Sequence, residues 1–147
     1  MTAALACLDS DVFGGFAPVA ANFYAPAICA DATPRPMVIF HGTDDATVPY
    51  GGGRVTAGGA SNGLSTQGAE ASAAAWAEHN GCDPEPTVVE QHPEVVKHSW
   101  TGCDDPVVLY EIVGGGHTWP GAIDVPRLGA VTDEISATET IVDTFLR

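Results

Sequence analysis

The side chains best suited to acid–base chemistry lie in two short loops. One reads His41-Gly42-Thr43-Asp44-Asp45-Ala46-Thr47-Val48-Pro49-Tyr50, the other Gly114-Gly115-Gly116-His117-Thr118-Trp119-Pro120-Gly121. Each follows a strand-like stretch, the apolar residues 37–40 in the first case and the largely apolar residues 107–113 in the second. A carboxylate and an imidazole brought together from such loops form a working pair. The histidine takes a proton from a nucleophile, and the buried acid fixes its tautomer and stabilises the imidazolium. The acid precedes the histidine, which is the order in one class of serine, acid, histidine triad. Taken singly, an Asp after a strand is a common turn residue and a His a common surface group. It is the combination, in this order and after these runs, that points to catalysis by Asp45 and His117.

For the two loops to meet, both strands must end on one rim of a sheet. In open parallel sheets ligands bind beyond the carboxyl ends of the strands. Residues 37–40, Met-Val-Ile-Phe, begin after Pro34 and Pro36 and stop at His41-Gly42, as a strand buried on both faces would. Residues 107–113 make a second such strand, ended by three glycines. Between them, the Ala-rich segment 66–79, with Ser65 as cap and Asn80-Gly81 as terminus, predicts a crossover helix. Residues 87–90 and 95–96 add a short extended pair, and 12–19 reads as a further strand weakened by two glycines. Residues 1–7 read as the end of a helix. Ser136-Ala137-Thr138-Glu139 is a capping box that opens a last helix, with Ile141, Val142, Phe145 and Leu146 on one face. With no repeat and no linker, residues 1–147 form a single α/β domain of parallel strands and crossover helices.

Composition narrows the partners. The 147 residues are 45% hydrophobic and 16% charged, which is the make-up of a folded, loop-rich chain. Nineteen acidic against five scattered basic residues leave a net charge of −14. Nucleic acid and anionic membrane both require clustered Lys and Arg, so neither is expected as a partner. No apolar run approaches the ~20 residues that cross a bilayer. Cys7, Cys29, Cys82 and Cys103 include no C-x-x-C pair, which argues against a zinc ribbon or a thioredoxin-type motif. Four scattered cysteines favour two disulfides and hence export; the alternative is four reduced, buried thiols. His92, His98 and Cys103 lack metal-site spacing, and the two histidines read as solvated groups, so no metal is expected. The glycine triplets lack the Gly-Lys-Ser/Thr of a phosphate loop, so no nucleotide cofactor is expected either.

The motifs His41-Gly42-Thr43-x-Asp45-x-x-Val48-Pro49-Tyr50, Trp76-Ala77 with Asn80-Gly81-Cys82, and Gly114-Gly115-Gly116-His117-x-Trp119-Pro120-Gly121 resemble a known pattern. It is that of the carboxyl-terminal half of the secreted polyhydroxybutyrate depolymerase and feruloyl esterase family. These are α/β-hydrolase serine esterases related to carbohydrate esterase family 1. The resemblance implies the carboxyl-terminal part of an α/β-hydrolase fold, secretion, and an ester polymer or feruloylated polysaccharide as substrate. It makes Asp45 rather than Asp44 the acid and His117 the base, and places Tyr50 and Trp119 along the substrate cleft. Sequence-adjacent disulfides, Cys7–Cys29 and Cys82–Cys103, resemble the family's habit and close short loops.

The family's nucleophile sits in a G-x-S-x-G elbow that would precede residue 1. The missing amino-terminal half is then a natural partner, and the 147 residues alone are expected not to hydrolyse esters. A literal G-x-S-x-G occurs at Gly59-Ala60-Ser61-Asn62-Gly63. It lacks the apolar strand before it and the helix after it that an elbow requires, and it reads as a surface loop. The rival reading is a non-catalytic fragment or binding module that retains the hydrolase cleft.

Overall fold

The structure, a computed structural model, describes residues 1–23, 31–57 and 60–146. Among these, helix α1 (Thr2–Leu8) is followed by β1 (Met37–Gly42), β2 (Gly52–Ala57), β3 (Ala60–Gln67), α2 (Ala69–His79), β4 (Thr87–His92), β5 (Val95–Trp100), β6 (Val107–Ile112) and α3 (Ala137–Leu146). The main sheet has the order β1-β6-β5-β4, and β2 and β3 form a separate hairpin. Strands β1 and β6 are parallel neighbours, Met37 beside Val107 and His41 beside Glu111, whereas β5 runs antiparallel to both β6 and β4. The sheet is therefore mixed. The expectation of parallel strands holds for β1 and β6 but not for β5 and β4, because the β4–β5 hairpin, legible only as a short extended pair, joins the same sheet antiparallel.

Strand β1 is apolar on both faces because both are covered, as its alternation requires. Met37 and Ile39 point with Val107 and Leu109 towards Ala69, Ala73, Trp76 and Ala77 of α2 and Ala6 of α1. Val38 and Phe40 point the other way, against Ala137, Ile141 and Phe145 of α3, with Phe40 stacked on Tyr110 at 5.0 Å. Helix α3 begins where its capping box placed it, Ser136 Oγ accepting the Glu139 N–H at 3.3 Å. Its apolar stripe is narrower than expected, since Val142 and Leu146 are exposed.

Three other expectations are corrected. Helix α2 starts at Ala69 rather than 66, because Thr66 and Gln67 pair with Gly53 and Gly52 in the β2–β3 hairpin. Residues 12–19 form no strand: Val12 and Phe13 are largely exposed, and only Phe16 and Val19 make parallel bridges to Met37 and Phe40. The physical reasons are Pro18, which has no N–H to offer, and Ala20, held at φ 50°, which turns the chain away. The Ser61 segment is not a loop but part of β3, with Ser61 opposite Thr56. An antiparallel hairpin position is also not the strand-to-helix turn of an elbow.

The Cys82–Cys103 disulfide is formed, tying the end of α2 to the turn before β6. The Cys7–Cys29 pairing involves Cys29, which lies outside the described residues. No helix among the described residues is long and apolar enough to cross a membrane.

Candidate active site

The loops after β1 and β6 meet at the carboxyl ends of two adjacent parallel strands. Thr43 N–H donates to the Ile112 carbonyl and Asp44 N–H to that of Gly115, both at 2.9 Å, while Gly114 N–H donates to Thr43 Oγ1 at 2.8 Å. The backbones are so close that a Cβ on Gly42 would lie 2.1 Å from the Gly115 carbonyl oxygen. Only glycine permits this approach, which explains why β1 ends in Gly42.

The contact brings Asp45 and His117 together. His117 Nδ1–H donates to Asp45 Oδ2 at 2.9 Å, and Asp45 is 4% exposed. The other carboxylate oxygen, Oδ1, accepts the amides of Thr47 and Val48, each at 2.8 Å. Hairpin β2–β3 braces this turn: Thr56 donates to Thr47 O from its amide and to Ala46 O from its hydroxyl. On the other side, residues 128–130 hold the histidine loop, since Gly116 N–H reaches Ala130 O and His117 N–H reaches Leu128 O.

Burial alone would raise the Asp45 carboxyl, but the hydrogen bonds from His117, His41, Val48 and Thr47 outweigh it. They hold the group well below the usual carboxylate range. His117 moves upward, chiefly through its hydrogen bond to Asp45, against an opposing effect of burial. The arrangement thus favours Asp45 ionised and an imidazole with its proton on Nδ1. That leaves Nε2, which forms no hydrogen bond among the described residues, as the atom free to accept a proton.

His117 opens onto a cleft of about 350 Å³ lined by Val19, Trp119, Ile123, Val125 and Leu128 among others. Trp119 stands in this cleft, its indole N–H donating to Thr138 Oγ1 at 3.1 Å. The structure does not bring Tyr50 there. Its ring lies edge-on to His41 at 5.8 Å and its hydroxyl donates to Glu70 Oε1 at 3.2 Å. Burial, with Glu111 and Glu70 nearby, pushes the phenol well above its ordinary value. Asp44 is exposed, and its backbone N–H bonds to the histidine loop at the Gly115 carbonyl. Among the described lining residues the one hydroxyl is that of Thr118, which donates to Ala130 O at 3.0 Å.

Two features escaped the sequence reading. His41 sits beneath the acid, its Nε2 3.4 Å from Asp45 Oδ2; the i, i+4 spacing was its one visible signal. His98, expected in solvent, is 8% exposed and bonded to Glu111 Oε2 at 2.9 Å across the β5–β6 ladder.

Comparison with family models, curated proteins and solved structures finds no match to this chain.

Proposed function

We propose that these residues supply the acid and base of a secreted serine-type carboxylic ester hydrolase. The substrate class is that of the polyhydroxybutyrate depolymerase and feruloyl esterase family, whose motifs the two loops resemble. The observation that carries the reading is the 2.9 Å bond from His117 Nδ1 to the buried Asp45, with His117 lining a largely apolar cleft. A disulfide is the kind of crosslink that persists in oxidising compartments, in keeping with export.

In this reading a serine hydroxyl from an elbow outside these residues attacks the ester carbonyl and loses its proton to His117 Nε2. Asp45 stabilises the resulting imidazolium, which then protonates the departing alkoxide. Water, activated in the same way, releases the acid. The other function class is a binding module that keeps the cleft, and the engagement of Thr118 with Ala130 favours it only for the 147 residues on their own.

Labelling with a fluorophosphonate separates the two. The 147-residue chain should remain unlabelled, and the same chain fused behind an elbow-bearing amino-terminal segment of a feruloyl esterase should label at the elbow serine. Labelling of the isolated chain that is lost with Ser61→Ala would overturn the assignment of the nucleophile. A folded fusion that labels equally with and without His117 would overturn the function.

A further inference from the structure

We infer that His41 is a positioning residue for the acid, a second imidazole that holds Asp45 from below and tempers its charge towards His117. This rests on the reading of Asp45 and His117 as an acid–base pair. His41 is the penultimate residue of β1, on the face that carries Met37 and Ile39, and it is 1% exposed. Its Nε2 lies 2.8 Å from the Val48 carbonyl oxygen and 3.4 Å from Asp45 Oδ2. Both neighbours accept hydrogen bonds and neither donates, so Nε2 must carry the proton. The opposite nitrogen, Nδ1, is buried without a partner among the described residues. A proton there would be an unsatisfied buried donor, and the bare Nε2 would face two oxygens. Local structure therefore fixes one tautomer of His41.

The consequence concerns Asp45 Oδ2, which accepts from His117 Nδ1 at 2.9 Å and has His41 Nε2 3.4 Å away. Val48 links the two imidazoles through backbone as well, because its N–H holds Asp45 Oδ1 while its carbonyl holds His41. The turn 45–48 is thereby clamped so that Oδ2 points at His117 and cannot rotate away. A donor shared with Oδ2 also spreads the carboxylate charge, making Asp45 a weaker acceptor for His117 than it would be alone. Tyr50 lies edge-on to His41, and Glu111 stands beside it in register on β6, its carboxylate bonded to His98. Asp45 is the one carboxylate bonded to His117 among the described residues.

Ring-nitrogen NMR of the 147-residue chain tests this without needing ester hydrolysis, so its failure is distinct from failure of the proposed function. In the unmodified chain His41 should give the Nε2–H tautomer; a resonance set of the Nδ1–H tautomer would overturn the inference. Replacing His41 by Met keeps the volume and removes the donor, whereas His41→Gln places an amide N–H near the position of Nε2. The His117 titration midpoint should shift upward by several tenths of a pH unit in His41→Met and return towards the original value in His41→Gln. A purely structural role predicts no such reversal. An unchanged midpoint in a folded His41→Met variant, or a Gln variant that behaves as Met does, would contradict the proposal. If His41→Met does not fold, the tautomer of the unmodified chain and the midpoint in His41→Gln still decide it.

Discussion

Replacing Gly42 by Ala should pull Asp45 away from His117 without substituting any titratable side chain. The added Cβ would stand 2.1 Å from the Gly115 oxygen and 2.6 Å from that of Gly116. An ordinary contact between these atoms needs about 3.3 Å, so the two loops must part by roughly 1 Å, because interiors close-packed to this degree have no slack to absorb it. The His117–Asp45 bond, now 2.9 Å, would lengthen to about 4 Å and cease to be a hydrogen bond. Overpacking of this kind costs about 1–3 kcal/mol in stability, and a misplacement of that size at a catalytic pair costs ~10²-fold in rate. The assay is proton NMR of the His117 Nδ1–H, a downfield signal that depends on the Asp45 bond, read beside a urea unfolding curve. Gly14→Ala serves as control, since nothing lies within 4 Å of a Cβ there. Retention of the downfield proton in Gly42→Ala, with stability within about 0.5 kcal/mol of the control, would refute the close-approach argument.

Asp45→Asn should reverse the His117 tautomer: with the amide oxygen kept for the Thr47 and Val48 amides, the side-chain NH₂ faces His117 and donates to Nδ1. Ring-nitrogen NMR should then find the proton on Nε2 and a lower titration midpoint. Stability should fall in acid, because the depressed Asp45 group contributes fully above its ordinary value of 3.8 and loses that contribution as pH drops through its folded value. His117 acts in the opposite sense, its contribution being complete below 6.5 and lost as pH rises through its raised folded value. Urea midpoints measured from pH 2 to 8 should show a shallower acid limb in Asp45→Asn than in the unmodified chain, and identical limbs would contradict the assignment. Replacing Cys82 and Cys103 by Ser opens a crosslink across a separation of 21 residues, which should cost about 3 kcal/mol in a denaturant titration. Non-reducing peptide mapping should join Cys7 to Cys29, and a Cys7 peptide found with Cys82 or Cys103 would exclude the expected pairing.

What could be read from sequence followed from how strongly each residue's environment constrains it. Residues 37–40 were legible because a strand covered on both faces must be apolar throughout, and 107–112 because they are rich in β-branched and apolar residues, the ends at His41-Gly42 and Gly114 being marked by glycine. That Asp45 and His117 would meet was legible because both stand in the short loops after those strands. The β2–β3 hairpin was not, since Gly52, Gly53, Ser65 and Thr66 carry neither alternation nor β-branched runs. Its partners are set by the brace against the acid turn, which is a tertiary contact. Gly68 places the start of α2, where its backbone packs on the Tyr50 carbonyl and Ala69 N–H bonds to it. The Ala-rich composition had suggested three residues earlier. The mixed sheet was hidden for a similar reason: β4 is exposed along its whole length, so nothing in its pattern told how it pairs. His41 looked like a motif residue, and its hold on Asp45 appeared only with the geometry.

The central claim is that Asp45 and His117 act together on a serine nucleophile. Turnover of p-nitrophenyl acetate by the chain fused behind an elbow-bearing segment tests it most directly. His117→Ala and Asp45→Asn should each lower kcat by ~10⁴-fold, the double variant should lose little more than either alone, and Asp44→Asn should stay within about tenfold of the unmodified fusion. A folded fusion that keeps most of its turnover without His117, or that loses it at Asp44 and keeps it at Asp45, would contradict the account.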